Sequence, residues 1–237
     1  MKLSIVFPAY NEESRILPVL NRYYSFFMDN LSNSFEFIIV PNNCSDNTVE
    51  VVNNFLRGKK NVAIKTIPNN VGKGRAILVG FKLAKGDLIG FVDSDESTSP
   101  EEFYKLYKNI GDFKGIIASR RMKRSLVSPR RDIYKRFSSF LFNIFVRLFF
   151  GLNFRDTQCG AKIFRREVIT KFVPISMLSD WAFDIDLLYF CKRNKYPILE
   201  FPIFWKDSSH SHLTTFQGIK SVLFLIKYRL FFKYPKY

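Results

Sequence analysis

Residues 87–103 read DLIGFVDSDESTSPEEF. The run from Leu88 to Val92 is apolar enough for a buried strand, and it stops abruptly at Asp93-Ser94-Asp95-Glu96. Three acids in four residues are costly beside a buried strand unless something neutralises them. Two carboxylates one residue apart, Asp93 and Asp95, can bind a divalent cation directly or through water, with phosphate oxygens completing an octahedron. The bland alternative is a solvated acidic turn. The position of these acids, at the end of a strand in a basic chain, favours the cation. Just beyond, Ser99-Pro100-Glu101-Glu102 combines an N-cap residue, a proline and acidic first-turn residues, so a helix begins there.

The same punctuation recurs on both sides of this stretch. KLSIVFPAY (2–10), FEFIIVP (35–41), NVAIKTI (61–67) and KGIIAS (114–119) read as further strands. Between them, Ile16, Leu17, Leu20, Tyr24 and Phe27 keep helical spacing, as do Val49, Val52 and Phe55, and Ile77, Leu78, Phe81 and Leu83. Strands alternating with helices predict an α/β fold with a mostly parallel sheet flanked by helices. Ligands of such sheets bind beyond the carboxyl ends of the strands. The polar loops all fall there: Ala9 to Glu12, Asn42 to Asp46, Asp93 to Glu96, and Ser119 onward. One cleft is expected.

Composition bounds what the cleft can serve. The 237 residues suit one large domain, and 47% hydrophobic content excludes disorder. A net charge of +16 calls for an anionic partner: nucleic acid, a phosphorylated substrate or a membrane surface. Cys44, Cys159 and Cys191 are odd in number and widely spaced, so they suit reduced thiols of a cytosolic compartment rather than a disulfide framework or a zinc site. The start of the chain, MKLSIVFPAYNEE, does not read as a signal peptide, and no run of about 18 uninterrupted apolar residues suggests a membrane span.

Several residues in the loops have the right chemistry for a nucleotide. Pro8 fixes the backbone after the first strand, Tyr10 offers a stacking face, and Glu12 offers an acceptor for a ribose hydroxyl or a base. An ordinary strand-to-helix turn with an acid near the helix start explains Glu12 as well. Gly72-Lys73-Gly74 opens a helix, where glycines allow close approach and the helix start and Lys73 both favour phosphate. The spacing is not that of a Walker loop.

After Ser119 the texture changes. SRRMKRSLVSPRRDIYKR carries eight Lys or Arg and leads into FSSFLFNIFVRLFFGLNF. Arg131, Lys135, Ser139, Asn143 and Arg147 recur every four residues as one narrow polar stripe on an otherwise apolar helix of about 131–150. Basic residues beside a wide apolar surface favour a membrane interface over nucleic acid, and no helix-turn-helix or RNA-binding signature is present. A second such helix is expected at about 215–233; packing in a homodimer is the alternative use of these faces. Asp156 and Asp184 punctuate apolar segments and could face the cleft, while Cys159 lacks a histidine partner for nucleophilic work.

VFPAYNE, VGKGRAI and Asp93-Ser94-Asp95 together resemble the inverting nucleotide-sugar glycosyltransferases of family 2, with the GT-A fold. FRDTQCGAKIF, DWAFDIDLLY and FPIFWKDSSHSHL narrow the likeness to the branch that loads glucose or mannose onto dolichyl phosphate. The resemblance implies a single GT-A domain over 1–237, with a nucleotide-sugar half (1–118) and an acceptor half (119–237). It implies transfer of a hexose, glucose from UDP-glucose, onto a polyprenyl phosphate at the cytoplasmic face of a membrane, by peripheral or monotopic association. GDP-mannose as donor, or a glycan or other non-lipid acceptor, are the alternatives.

By the same likeness Pro8, Tyr10 and Glu12 would hold the nucleotide, with Asn42, Gly72, Lys73 and Gly74 nearby. Asp93 and Asp95 would bind Mg²⁺ or Mn²⁺ against the diphosphate. Arg120, Arg131, Lys135 and Ser139 would grip the lipid phosphate, and Asp156 and Gln158 would line the acceptor side as catalytic residues. Two departures stand out. Pro41-Asn42 replaces a pair of acids, although Asn42 can still offer a carbonyl and an NH₂ to uracil or guanine. Ser211-His212-Leu213 replaces Ser-Lys-Leu, with Lys206 as a possible substitute charge.

Overall fold

The computed structural model describes residues 2–128, 133–177, 182–206, 225–226 and 228–229, without the side chains of 133–138. The first half alternates as the sequence pattern requires: β1 (Leu3–Ala9), α1 (Ile16–Leu31), β2 (Phe35–Pro41), α2 (Thr48–Leu56), β3 (Val62–Ile64), α3 (Lys73–Leu83), β4 (Leu88–Val92), α4 (Pro100–Asn109) and β5 (Gly115–Ser119). There follow β6 (Leu126–Ser128), α5 (Ile133–Phe150), β7 (Ala161–Arg165), α6 (Arg166–Phe172), α7 (Phe183–Arg193), β8 (Ile198–Pro202) and β9 (Phe204–Lys206).

Seven strands form one sheet in the order β3-β2-β1-β4-β7-β5-β8, and β6 pairs with β9 in a separate ribbon. Helices pack on both faces around β1, β2 and β4, which is why these strands read as nearly unbroken apolar runs. Successive side chains leave on opposite faces. Ile5 and Phe7 pack with Tyr23 and Phe27 of α1, Val52 of α2 and Phe103 of α4. Val6 packs on the other side, with Ile77 and Phe81 of α3 and Phe183 of α7. The buried stripe of α1 is Ile16, Val19, Leu20, Tyr23 and Phe27, so Leu17, which also fits helical spacing, stays 39% exposed.

Helix α4 starts as expected: the Ser99 side chain accepts from Glu102 N, and Pro100 sits in the first turn. Two strands of the large sheet escape the sequence pattern, as do both strands of the ribbon. Strand β7 carries Lys162 and Arg165, so it never shows an apolar run, and the Ile198–Pro202 segment is only half buried. Strand β7 runs antiparallel between β4 and β5, in register Phe91↔Lys162 and Val92↔Ala161. It delivers residues 156–160 to the acidic end of β4.

The polar stripe expected on α5 does not face one way. Asn143 is buried, Ser139 is half-buried against Arg121, and Arg147 is exposed. Val146 and Phe150 pack into the core, while Phe140, Leu141 and Leu148 are exposed. Arg131, His212 and most of 215–233 lie outside the described residues. No described helix is long and apolar enough to cross a membrane.

Candidate active site

The carboxyl ends of β1, β2 and β4 are tied together by hydrogen bonds. Ser94 Oγ donates to Pro8 O (2.9 Å), and Asn42 N donates to Ala9 O (2.8 Å). Asn11, in a left-handed conformation at φ 53°, accepts from Ser45 N (2.8 Å) through its carboxamide oxygen. This bracing leaves Tyr10 53% exposed at the rim, free to offer its ring. Glu12 N donates to Thr48 Oγ1 (2.8 Å), and its carboxylate meets Arg15 Nη2 at 2.7 Å. Burial pushes Glu12 up to about 7, helped by the charges of Asp95 and Asp93 and opposed by Arg15.

Asn42 is buried, and its side-chain oxygen accepts from Val71 N (3.2 Å). One lone pair is therefore already spent on holding the loop before α3, which leaves the NH₂ and a second lone pair for a base. In that loop Gly72 takes φ 79°, the left-handed region that suits glycine, and its N–H meets Asn70 Oδ1 (3.1 Å). The turn points the start of α3 at β4. Lys73, its first residue, meets Asp93 Oδ1 at 2.5 Å. Gly74 is buried in the first turn.

Asp93, Asp95 and Lys73 form the electrostatic centre. Burial raises the Asp93 pKa, opposed by Lys73 and reinforced by Asp95 and Asp184. Burial works against the Lys73 ammonium, but Asp93 and Asp184 outweigh it and hold its pKa above the ordinary value. Asp95 accepts from Ser97 N (3.0 Å), and Glu96 sits at φ 63° between Arg22 (3.4 Å) and Lys206 (3.3 Å).

Among the described residues no group of three or more His, Cys, Asp or Glu side chains is placed to hold a metal unaided. Two carboxylates still fit Mg²⁺ or Mn²⁺, which keep several coordination positions for water and phosphate oxygens. The Lys73 ammonium already places positive charge on the Asp93 carboxylate.

Strand β7 supplies a contact that sequence patterns do not reveal. Asp93 N donates to Gly160 O (3.0 Å), and a Cβ on Gly160 would lie 1.9 Å from Asp93 Oδ2. Two positions on, fully buried Lys162 donates to Cys159 O (2.6 Å) and forms an ion pair with Asp184 at the start of α7. Asp184 does lie near the centre, but paired.

Just past the end of β5, Arg120 and Asp156 meet through three bonds. Arg120 Nε and N donate to Oδ2 (2.7 and 3.0 Å), and Nη2 donates to Oδ1 (2.9 Å). Gln158 contributes its backbone N–H to Oδ1 (3.3 Å). Burial disfavours the Asp156 carboxylate, yet Arg120 holds its pKa well below the usual carboxylate range. A carboxylate so held is a weak proton acceptor, and its three bonds hold Arg120 in place. Glu200 of β8 accepts from Asp156 N (2.8 Å) and fixes the loop.

Ser139 accepts from Arg121 Nη2 (2.8 Å), which ties α5 to the basic loop. Lys135 lies on α5 with its side chain outside the described residues, as is all of Arg131. Gly160 and Lys162 fall within FRDTQCGAKIF and Trp205 within FPIFWKDSSHSHL, but their contacts, like those of Arg121 and Glu200, are set by the fold. Their roles come from partners far along the chain.

Comparison with known proteins finds a family match for the chain. The model described as "Glycosyl transferase family 2" covers residues 4–172. The chain is 28% identical over 240 residues to a dolichyl-phosphate beta-glucosyltransferase of Trichomonas vaginalis, spanning 97% of this chain and 71% of that one. It is 30% identical over 229 residues to the dolichyl-phosphate beta-glucosyltransferase of Drosophila melanogaster (91% and 70%). The Homo sapiens protein of the same name is 29% identical over 241 residues (94% and 74%). Among solved structures, glucosyl-3-phosphoglycerate synthase from Mycobacterium tuberculosis, in complex with Mn²⁺, UDP and phosphoglyceric acid, superposes with a TM-score of 0.70 at 17% identity, covering 98% and 80% of the two chains. Staphylococcus aureus TarS in complex with UDP-GlcNAc gives 0.62 at 20% identity, covering 97% and 66%. These structural likenesses support the GT-A architecture.

Proposed function

Because the chain belongs to glycosyl transferase family 2, we propose that it transfers glucose from UDP-glucose to a polyprenyl, dolichyl-type phosphate at a membrane surface, with inversion. One observation carries the reading: a cation-seeking acid pair with Lys73 at the end of β4, set near a half-buried arginine fork, Arg120. The first suits a sugar diphosphate and the second an anionic acceptor. The names of the relatives point to glucose and to dolichyl phosphate.

In this reaction a phosphate oxygen of the acceptor bonds to the anomeric carbon while the bond from that carbon to UDP breaks. Both electrons of that bond leave with UDP. The acceptor is anionic near neutral pH, so no strong general base is needed. This agrees with Asp156 and Asp184 each being held by a cation, Arg120 and Lys162. The leaving group gains charge, which Lys73 offsets on transfer from Asp93 to the diphosphate. Mg²⁺ or Mn²⁺, held by Asp93 and Asp95, would supply further positive charge there. Tyr10, Glu12 and Asn42 orient the nucleoside, with Pro8 and Gly72-Lys73-Gly74 shaping its cradle. Exposed Phe140, Leu141 and Leu148, beside Arg147, suit α5 to an interfacial position.

A panel of UDP- and GDP-sugars with polyprenyl phosphate and Mn²⁺, read as product in the lipid phase, tests the proposal. UDP-glucose should give product, and Asp95→Ala should abolish it while the fold survives. Product from GDP-mannose in preference would overturn the donor, and full activity on a water-soluble acceptor without lipid would overturn the acceptor.

A further inference from the structure

Trp205 plays no part in the chemistry above, yet it touches the acceptor arginine. Its ring lies against the Arg120 guanidinium, 5.3 Å from Cζ to ring centroid, and the residue is 5% exposed. A guanidinium offers five N–H donors in one rigid plane. Asp156 takes the edge made by Nε and one hydrogen of Nη2. The outer edge, Nη1 with the other hydrogen of Nη2, donates to no described residue and has the spacing of two phosphate oxygens.

Edge pairing alone leaves the guanidinium plane free to pivot about the carboxylate. The Trp205 ring, with Arg120 Cζ over it, limits that freedom. The ring is itself anchored from the donor half. Lys206 N donates to Ser97 O (2.9 Å), two residues beyond Asp95, and Phe204 N donates to Glu102 Oε2 (3.0 Å). Strand β9 also pairs with β6 of the basic loop, with Val127 opposite Trp205. One short strand therefore touches the acid-pair loop, the basic loop and the arginine.

We propose that Trp205 is a positioning residue for the anionic acceptor: it sets the plane of Arg120 so that the outer edge meets the acceptor phosphate as a two-pronged fork, in register with the acid-pair loop. This inference rests on the polyprenyl-phosphate reading. The test uses the full chain as wild type, Trp205→Leu and Trp205→Phe, with initial rates measured against polyprenyl phosphate at saturating UDP-glucose and then the reverse. Trp205→Leu should raise the KM for polyprenyl phosphate about tenfold, or about 1.4 kcal/mol, and leave the KM for UDP-glucose within about twofold. Trp205→Phe, which restores a ring face, should recover most of that loss. If Trp205→Leu does not fold, Trp205→Met, apolar and without a ring, takes its place. Equal effects of the ringless and phenyl variants, or an equal rise in both KM values, would overturn the proposal. A wild-type chain inactive on polyprenyl phosphate would instead overturn the functional reading, and this inference with it.

Discussion

Gly160→Ala is the sharpest test of how the site is assembled. The new methyl would lie 1.9 Å from Asp93 Oδ2, 2.3 Å from Cγ and 2.8 Å from Oδ1. Ordinary carbon–oxygen contact needs about 3.4 Å or more, so something must move by more than about 1 Å. The backbones have little room to part, because Asp93 N donates to Gly160 O (3.0 Å) beside the β4–β7 ladder. Gly160 is not among the glycines at positive φ, so alanine suffers no backbone strain there and the effect is steric. The Asp93 carboxylate is the group that yields. Swinging it away breaks its 2.5 Å contact with Lys73 and spoils its aim at a cation.

Overpacking of this kind costs about 1–3 kcal/mol of stability. Misplacing a reacting-site group by about 1 Å costs about 100-fold in rate. Gly160→Ala should therefore remain folded, with a lower melting temperature, and lose about 100-fold in glucosyl transfer with a higher Mn²⁺ requirement. The assays are thermal melting and initial rates across a Mn²⁺ titration. A folded Gly160→Ala protein with wild-type rate and wild-type Mn²⁺ dependence would refute the claim that β7 sets the Asp93 carboxylate.

Three further outcomes are expected. Asp156→Asn keeps the shape but removes the charge that holds Arg120, so the acceptor KM should rise about tenfold with kcat within about threefold; a kcat loss of about 100-fold at unchanged KM would instead mark Asp156 as a base. Lys162→Met strands the Asp184 charge and should cost about 3–5 kcal/mol in urea unfolding, with Lys162→Met/Asp184→Leu recovering most of it; a single-variant loss under about 1 kcal/mol would contradict a paired buried charge. Glu12, pushed up to about 7 from its ordinary 4.5 by burial, binds its proton more tightly folded than unfolded. Metal-free stability should therefore fall as pH rises through that window and level off above it, and Glu12→Gln should flatten the melting-temperature profile. An unchanged slope in the variant would rule Glu12 out as its source.

The donor half was legible because a parallel βα unit obeys local rules. An apolar run followed by a polar loop and a helix start says where the strand ends and where ligands gather, and Asp93, Asp95 and Lys73 all stand at such ends. The chain after Ser119 follows no such rule. Strand β7 hides behind Lys162 and Arg165, whose charges break the apolar pattern of a buried strand. The polar stripe of α5 points partly inward, because Arg121 and the core supply partners for Ser139 and Asn143 that spacing alone cannot show.

By itself, the sequence determined the alternation of strands and helices, the acid pair at the end of β4, the glycine turn into α3 and the excess of positive charge. These depend on neighbours a few residues apart, where periodicity and turn chemistry operate. Only the tertiary structure decided that Asp156 holds Arg120, that Gly160 is the surface on which Asp93 rests, and that Trp205 backs an arginine 85 positions away. Each of those pairings is made by insertion of an antiparallel strand or by a short ribbon between distant loops. Such contacts are set by the closing of the sheet, and no local pattern encodes them.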